Sequence, residues 1–154
     1  SMPGQLRELI STPGHTLLLF LWFFFAPLCQ AATGNDEVVS PETIDGTTIV
    51  DAEGLIAAVR QVPGLILIDS RMTADRKEGF IEGSVSLPDT ETDCDSLAGT
   101  VPSRNTPVLF YCNGVNCGRS ATTASIAVAC GYTNVYWFRN GVEEWLEQEF
   151  PLVQ

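Results

Sequence analysis

Two short runs, LILID (Leu65–Asp69) and PVLFY (Pro107–Tyr111), are apolar at nearly every position and each starts at a Gly or Pro break. A strand with one wet face alternates polar and apolar residues, so runs without a polar face call for strands covered on both sides. The stretches around them supply the cover. DAEGLIAAVRQV places Leu55, Ile56 and Val59 at helical spacing behind Asp51 as N-cap, and SATTASIAVACG reads as a small-faced helix from Arg119 that ends at Gly131. TTIV (47–50), SVSLP (84–88) and NVYWF (134–138) read as further strands, and GVEEWLEQEF (141–150) as a last helix. Strands alternating with helices predict an α/β fold: a mostly parallel central sheet flanked by helices, in three layers.

The N-terminal stretch reads differently. TLLLFLWFFFAPL (16–28) follows a single basic residue, Arg7, and precedes the small residues of CQAATG. About 13 apolar residues rise only about 20 Å as a helix, against a bilayer core of roughly 30 Å. Residues 1–31 are therefore expected to be a signal peptide cleaved near Ala31, with export to a periplasm as its consequence. Two other fates are open: lipidation at Cys29, or retention of residues 16–28 as a short membrane anchor. Residues 32–46, broken by Gly34, Pro41 and Gly46, read as a linker, and 47–154 as the folded domain.

The chain carries a net charge of −11, and losing residues 1–31 removes one base, Arg7, and one acid, Glu8, leaving that charge unchanged. Such a balance argues against nucleic acid, which needs clustered Lys and Arg. The sole histidine, His15, lies before the apolar block, and the cysteines form no paired knuckles, so neither a metal nor a cofactor is expected.

The chemistry concentrates in YCNGVNCGRS (111–120). In parallel sheets, ligand sites lie beyond the carboxyl ends of strands, and Cys112 falls at that end of PVLFY, just before a helix. A loop of Asn113, Gly114, Val115, Asn116, Cys117, Gly118 and Arg119 can turn backbone N–H groups inward as an anion-binding nest, reinforced by the positive helix end and by Arg119. A cysteine in that nest is expected to hold a lowered pKa and act as a thiolate nucleophile, with Cys112 the first candidate. Cys117 is open between a resolving or redox partner, a small helix-cap residue, and the nucleophile itself.

Four stretches resemble the single-domain rhodanese-like sulfurtransferases: LILIDSR with Asp69 and Arg71, EGFIEGSVSLP with Gly79, Ile81 and Gly83, FYCNGVNCGRS, and GYTNVYWFRNGVEEW with Gly141 and Trp145. The likeness spans roughly residues 47 to 152. It implies a rhodanese-like fold and a Cys112 persulfide that takes sulfur from a small anionic donor such as thiosulfate and passes it to cyanide or a thiol. The loop also resembles that of an exported subset with a second cysteine. Two departures stand out: Phe80 occupies the place of the family's usual His, and the loop is longer than the common one. A cysteine phosphatase of related fold is a poor match, because six residues separate Cys112 from Arg119, one more than that chemistry uses, and no acid lies between them.

The remaining marked residues read as structure. Asp69 and Arg71 suit an ion pair at a strand end, Cys130 and the tryptophans 137 and 145 suit packing, and the acidic DTETDCDS (89–96) suits a solvated loop. Cys94 within it is a candidate to pair with a loop cysteine after export. Two alternatives to sulfur transfer stand beside it: a redox protein cycling Cys112 and Cys117 between dithiol and disulfide, and a noncatalytic binding module. Oligomeric state is not legible.

Overall fold

A computed structural model of the chain describes residues 39–154. The expected signal peptide, the apolar block 16–28 and most of the linker lie outside these residues. The described elements are β1 (Thr47–Ile49), α1 (Ala52–Gln61), β2 (Ile66–Asp69), β3 (Val85–Ser86), α2 (Cys94–Thr100), β4 (Val108–Tyr111), α3 (Arg119–Ala129), β5 (Val135–Phe138) and α4 (Gly141–Glu147). The five strands form one sheet in the order β1-β5-β4-β2-β3, with every pairing parallel.

The unbroken apolar runs find the double cover they require. In β4, Val108 and Phe110 join Trp137, Ala124 and Leu97 on one face, where α2 and α3 pack. Leu109 and Tyr111 join Leu55, Phe138 and Trp145 on the other, with α1 and α4. All four β4 residues are fully buried. Burial of each such side chain contributes about 2 kcal/mol, so the strand that carries the loop is the best-anchored part of the sheet.

Three expectations change. The segment read as a linker to residue 46 is already held at Ser40, which is buried. DTETDCDS is not a plain loop: a 3₁₀ turn covers Asp89–Glu91, and α2 begins at Cys94. There Asp93 caps the helix, accepting from the Ser96 amide at 2.8 Å while the Ser96 hydroxyl accepts from the Asp93 amide at 2.9 Å. Cys130 is not merely packed. It forms a disulfide with Cys94, 36 residues away, with Cα atoms 5.5 Å apart. The pair ties the start of α2 to the end of α3, so Cys94 is not a partner of the loop cysteines.

Candidate functional site

The loop after β4 is fixed by the helix that closes the chain. Gly141 takes φ +56°, a left-handed conformation, and a Cβ there would sit 2.2 Å from the Cys112 carbonyl oxygen, so only glycine fits. This contact lets the first amides of α4 reach the loop: Val142 donates to the Cys112 carbonyl at 3.0 Å and Glu143 to the Asn113 carbonyl at 2.8 Å. Because a trans peptide points its C=O and N–H in opposite directions, the Asn113 amide is turned away from α4 and meets the Cys117 sulfur. A turn then brings the Cys117 amide to the Gly114 carbonyl at 3.0 Å, and α3 starts two residues later.

The two cysteines meet in the middle of this loop. Cys112 is fully buried, whereas Cys117 is partly exposed, and both are free thiols. The Cys112 Sγ lies 3.0 Å from the Cys117 carbonyl oxygen and 3.2 Å from the Ser120 Oγ. The Trp137 indole N–H donates to that Oγ at 3.0 Å, which leaves the Ser120 proton free to point at Cys112. Around Cys117 stand the Cys112 thiol and the amides of Asn113 and Arg119.

The arrangement acts against the expected thiolate on Cys112 and in favour of one on Cys117. The hydrogen bond that Cys112 gives to Cys117, and then burial, push the Cys112 thiol up, and the facing carbonyl oxygen repels a negative sulfur. For Cys117 the same hydrogen bond is the largest influence and outweighs desolvation. With the amides of Asn113 and Arg119 and the Arg119 charge it lowers the pKa to about 6. Both shifts favour placing a negative charge on the more accessible sulfur.

Arg119, expected to meet an anion, pairs its guanidinium with Asp89 of the 3₁₀ turn, at the rim of an open cleft that Asn113, Asn116 and Cys117 also line. Gly114 is packed against the Glu143 carboxylate, and Val115 carries the carbonyl that accepts the Ser40 amide at 2.7 Å.

Asp69 and Arg71 lie apart from the sulfurs. Arg71 Nε and Nη2 donate to the two Asp69 oxygens at 3.0 and 2.8 Å, and Nη2 also reaches the Gly79 carbonyl at 2.9 Å. Arg76 and the Tyr111 hydroxyl complete the Asp69 carboxylate, at 3.1 and 3.0 Å. Burial opposes the Arg71 charge, but Asp69 outweighs it and the pKa rises. Burial and Asp69 also push Tyr111 up to about 12, so this phenol stays a donor. The network pins the residue immediately before Cys112. Phe80, in the place of the family's His, lies under the Arg76 guanidinium, 3.7 Å from ring centroid to carbon.

The sequence assigns no site role to Ser40 or Ser120, only packing to Trp137 and a place in a solvated loop to Asp89. Ser120 stands inside the quoted motif, and its place in the first turn of a helix was the available signal. Ser40 and Asp89 reach the loop from distant segments and left none. The Ser40 hydroxyl donates to the Cys117 carbonyl at 2.9 Å, and Arg139 holds the segment by donating to the carbonyls of Pro41 and Ser40 at 2.7 and 2.9 Å.

A buried thiol closing a central parallel strand, with a helix N-terminus aimed at the loop behind it, defines a class of cysteine-loop α/β proteins. Residues 51–148 match the rhodanese-like domain, and the chain belongs to that family. Among curated proteins it is 30% identical over 98 residues to the Rhodanese domain-containing protein CG4456 of Drosophila melanogaster, covering 56% of this chain and 86% of that one. It is 26% identical over 90 residues to the uncharacterized protein YibN of Escherichia coli K12, covering 58% of this chain and 61% of that one. The fold is similar to that of the BH2092 protein of Bacillus halodurans, at TM-score 0.61 and 21% identity over 70% of this chain and 77% of that one. It is also similar to a thiosulfate sulfurtransferase of Pseudomonas aeruginosa, at TM-score 0.58 and 23% identity, covering 70% of this chain and 20% of that one.

Proposed function

We propose that this rhodanese-like domain is a sulfurtransferase: it takes a sulfane sulfur from a small anionic donor of the thiosulfate type and delivers it to cyanide or a thiol. The observation that carries the reading is the pair of sulfurs at the loop centre, with the amides of Asn113 and Arg119 on the one that holds the charge. The thiolate attacks the outer sulfur of the donor, the bond to the sulfite sulfur breaks, and sulfite leaves. The amides that stabilised the thiolate then stabilise the anionic persulfide. The geometry favours Cys117 over Cys112 as the first acceptor, because Cys117 opens on the cleft and Cys112 does not.

Export is part of the proposal. The apolar block at 16–28 and a disulfide between Cys94 and Cys130 both suit an oxidising compartment such as a periplasm, with the block either removed or kept as an anchor. The test is thiocyanate formation by the reduced full chain from thiosulfate and cyanide, together with the intact mass of the Cys112→Ser variant after thiosulfate alone. Thiocyanate and the gain of one sulfur atom are expected. A chain that forms no thiocyanate and gains no sulfur in any variant is not a sulfurtransferase.

A further inference from the structure

Beneath the accessible sulfur lies a second thiol that the transfer itself does not use. Cys112 is fully buried, and its thiol donates to the Cys117 carbonyl oxygen at 3.0 Å. No donor can reach it from the cleft, which Cys117 lines and Cys112 does not. Only a group attached to Cys117 can.

We propose that Cys112 resolves a persulfide on Cys117, releasing the transferred sulfur as hydrosulfide and leaving a Cys112–Cys117 disulfide. This rests on the sulfurtransferase reading and adds a second outcome to the same site. The Cys112 sulfur attacks the Cys117 Sγ, forming the intraloop S–S bond. The bond from Cys117 to the outer sulfur breaks, and its electron pair leaves with that sulfur. The proton of Cys112 goes to the departing sulfide. Two cysteine sulfurs are oxidised and one sulfane sulfur is reduced. With thiosulfate as donor, one dithiol loop yields one sulfite, one hydrosulfide and one disulfide, and an external dithiol reductant resets the loop.

Two features of the site favour this route over storage of the persulfide. The attacking thiol already touches the Cys117 carbonyl and lies on the same loop, so the step is unimolecular, while any external acceptor must diffuse in. The Ser120 hydroxyl, oriented by Trp137, faces the Cys112 sulfur and supports the negative charge it gains as its proton leaves. The sulfur therefore has two exits: a thiophilic acceptor in the cleft, or the thiol below.

The experiment treats the reduced full chain with one equivalent of thiosulfate and no acceptor. Released sulfide and intact mass are followed, and the loop disulfide is located by peptide mass so that Cys94–Cys130 is counted separately. The native chain is expected to release about one sulfide per chain and to end two hydrogens lighter, with Cys112 joined to Cys117 and a dithiol restoring the starting mass. Cys112→Ser, and Cys112→Ala as the second variant, are expected to hold the added sulfur and release none. A native chain that keeps its sulfur and releases no sulfide overturns the proposal and leaves the sulfurtransferase reading standing. So does the reverse pattern, in which Cys117→Ser holds the sulfur and Cys112→Ser takes none. Failure of every variant to gain sulfur or form thiocyanate overturns the sulfurtransferase reading itself.

Discussion

Helix α3 carries a cysteine pair at each end, and the two pairs differ in every respect that matters for chemistry. At its carboxyl end Cys130 is joined to Cys94, and at its amino end Cys112 and Cys117 are free. The helix dipole accounts for part of the contrast. Its negative end gives a thiolate no support, while its positive end supplies the Arg119 amide to Cys117 and the Ser120 amide to Cys112. One helix thus places a crosslink where a thiolate has no support and two free thiols where an anion is stabilised.

The sharpest break between the two ends is in activity. Cys117→Ser is expected to lower the initial rate of sulfur uptake from thiosulfate by about 1000-fold or more, as loss of a nucleophile does. The double variant Cys94→Ala and Cys130→Ala is expected to keep the native rate wherever it is folded. Equal losses in both would mean that the two ends are not separable.

The same double variant reverses the contrast in stability. A crosslink closing a loop of this length restricts the unfolded chain, and its removal is expected to cost about 3–4 kcal/mol, read as a lower midpoint in urea. Joining Cys112 to Cys117 closes only a short loop, so oxidation there is expected to stabilise by about half as much.

The pH dependence separates the ends again. Alkylation of Cys117 in the reduced chain is expected to be flat above neutrality and to fall about tenfold per pH unit below its pKa of about 6, while Cys112 stays unreactive. The folded pKa of Cys117 lies below its ordinary value of 9.0. Its contribution to stability is therefore complete above that ordinary value and is lost as pH falls toward about 6. Once the loop pair is oxidised that dependence is expected to vanish. The Cys94–Cys130 crosslink, which does not titrate, shows none in either state.

What the sequence reveals follows from how local each feature is. The strands at Ile66–Asp69 and Val108–Tyr111 are legible because burial on both faces leaves an unbroken apolar run. Asp51 as N-cap is legible because its partner, the Gly54 amide, is three residues away. The Cys94–Cys130 bond depends on α2 packing beside α3, and nothing near either cysteine records that. The place of the thiolate depends on the direction of one carbonyl, that of Cys117, and on amides oriented by Gly141 far along the chain. The motif identifies the loop, and the tertiary contacts decide which sulfur in it they favour as the anion.

The smallest expected effect concerns the one segment that touches the reactive end from before the first strand. Ser40→Ala removes the hydroxyl that donates to the Cys117 carbonyl but keeps the Ser40 amide on Val115 and the Arg139 bonds to the backbone. One neutral hydrogen bond is worth about 1 kcal/mol, so the loss of stability is expected to be near that figure. The loop should feel it through the carbonyl that Cys112 also faces. With its second donor gone that oxygen is less firmly held, and the alkylation midpoint of Cys117 is expected to climb slightly above about 6. The urea sensitivity of the crosslinked end, compared in the Cys94→Ala and Cys130→Ala background, should show the same increment with or without Ser40. A stability loss with no movement of the Cys117 midpoint would make Ser40 an anchor for the segment alone, with no part in setting the charge on the loop.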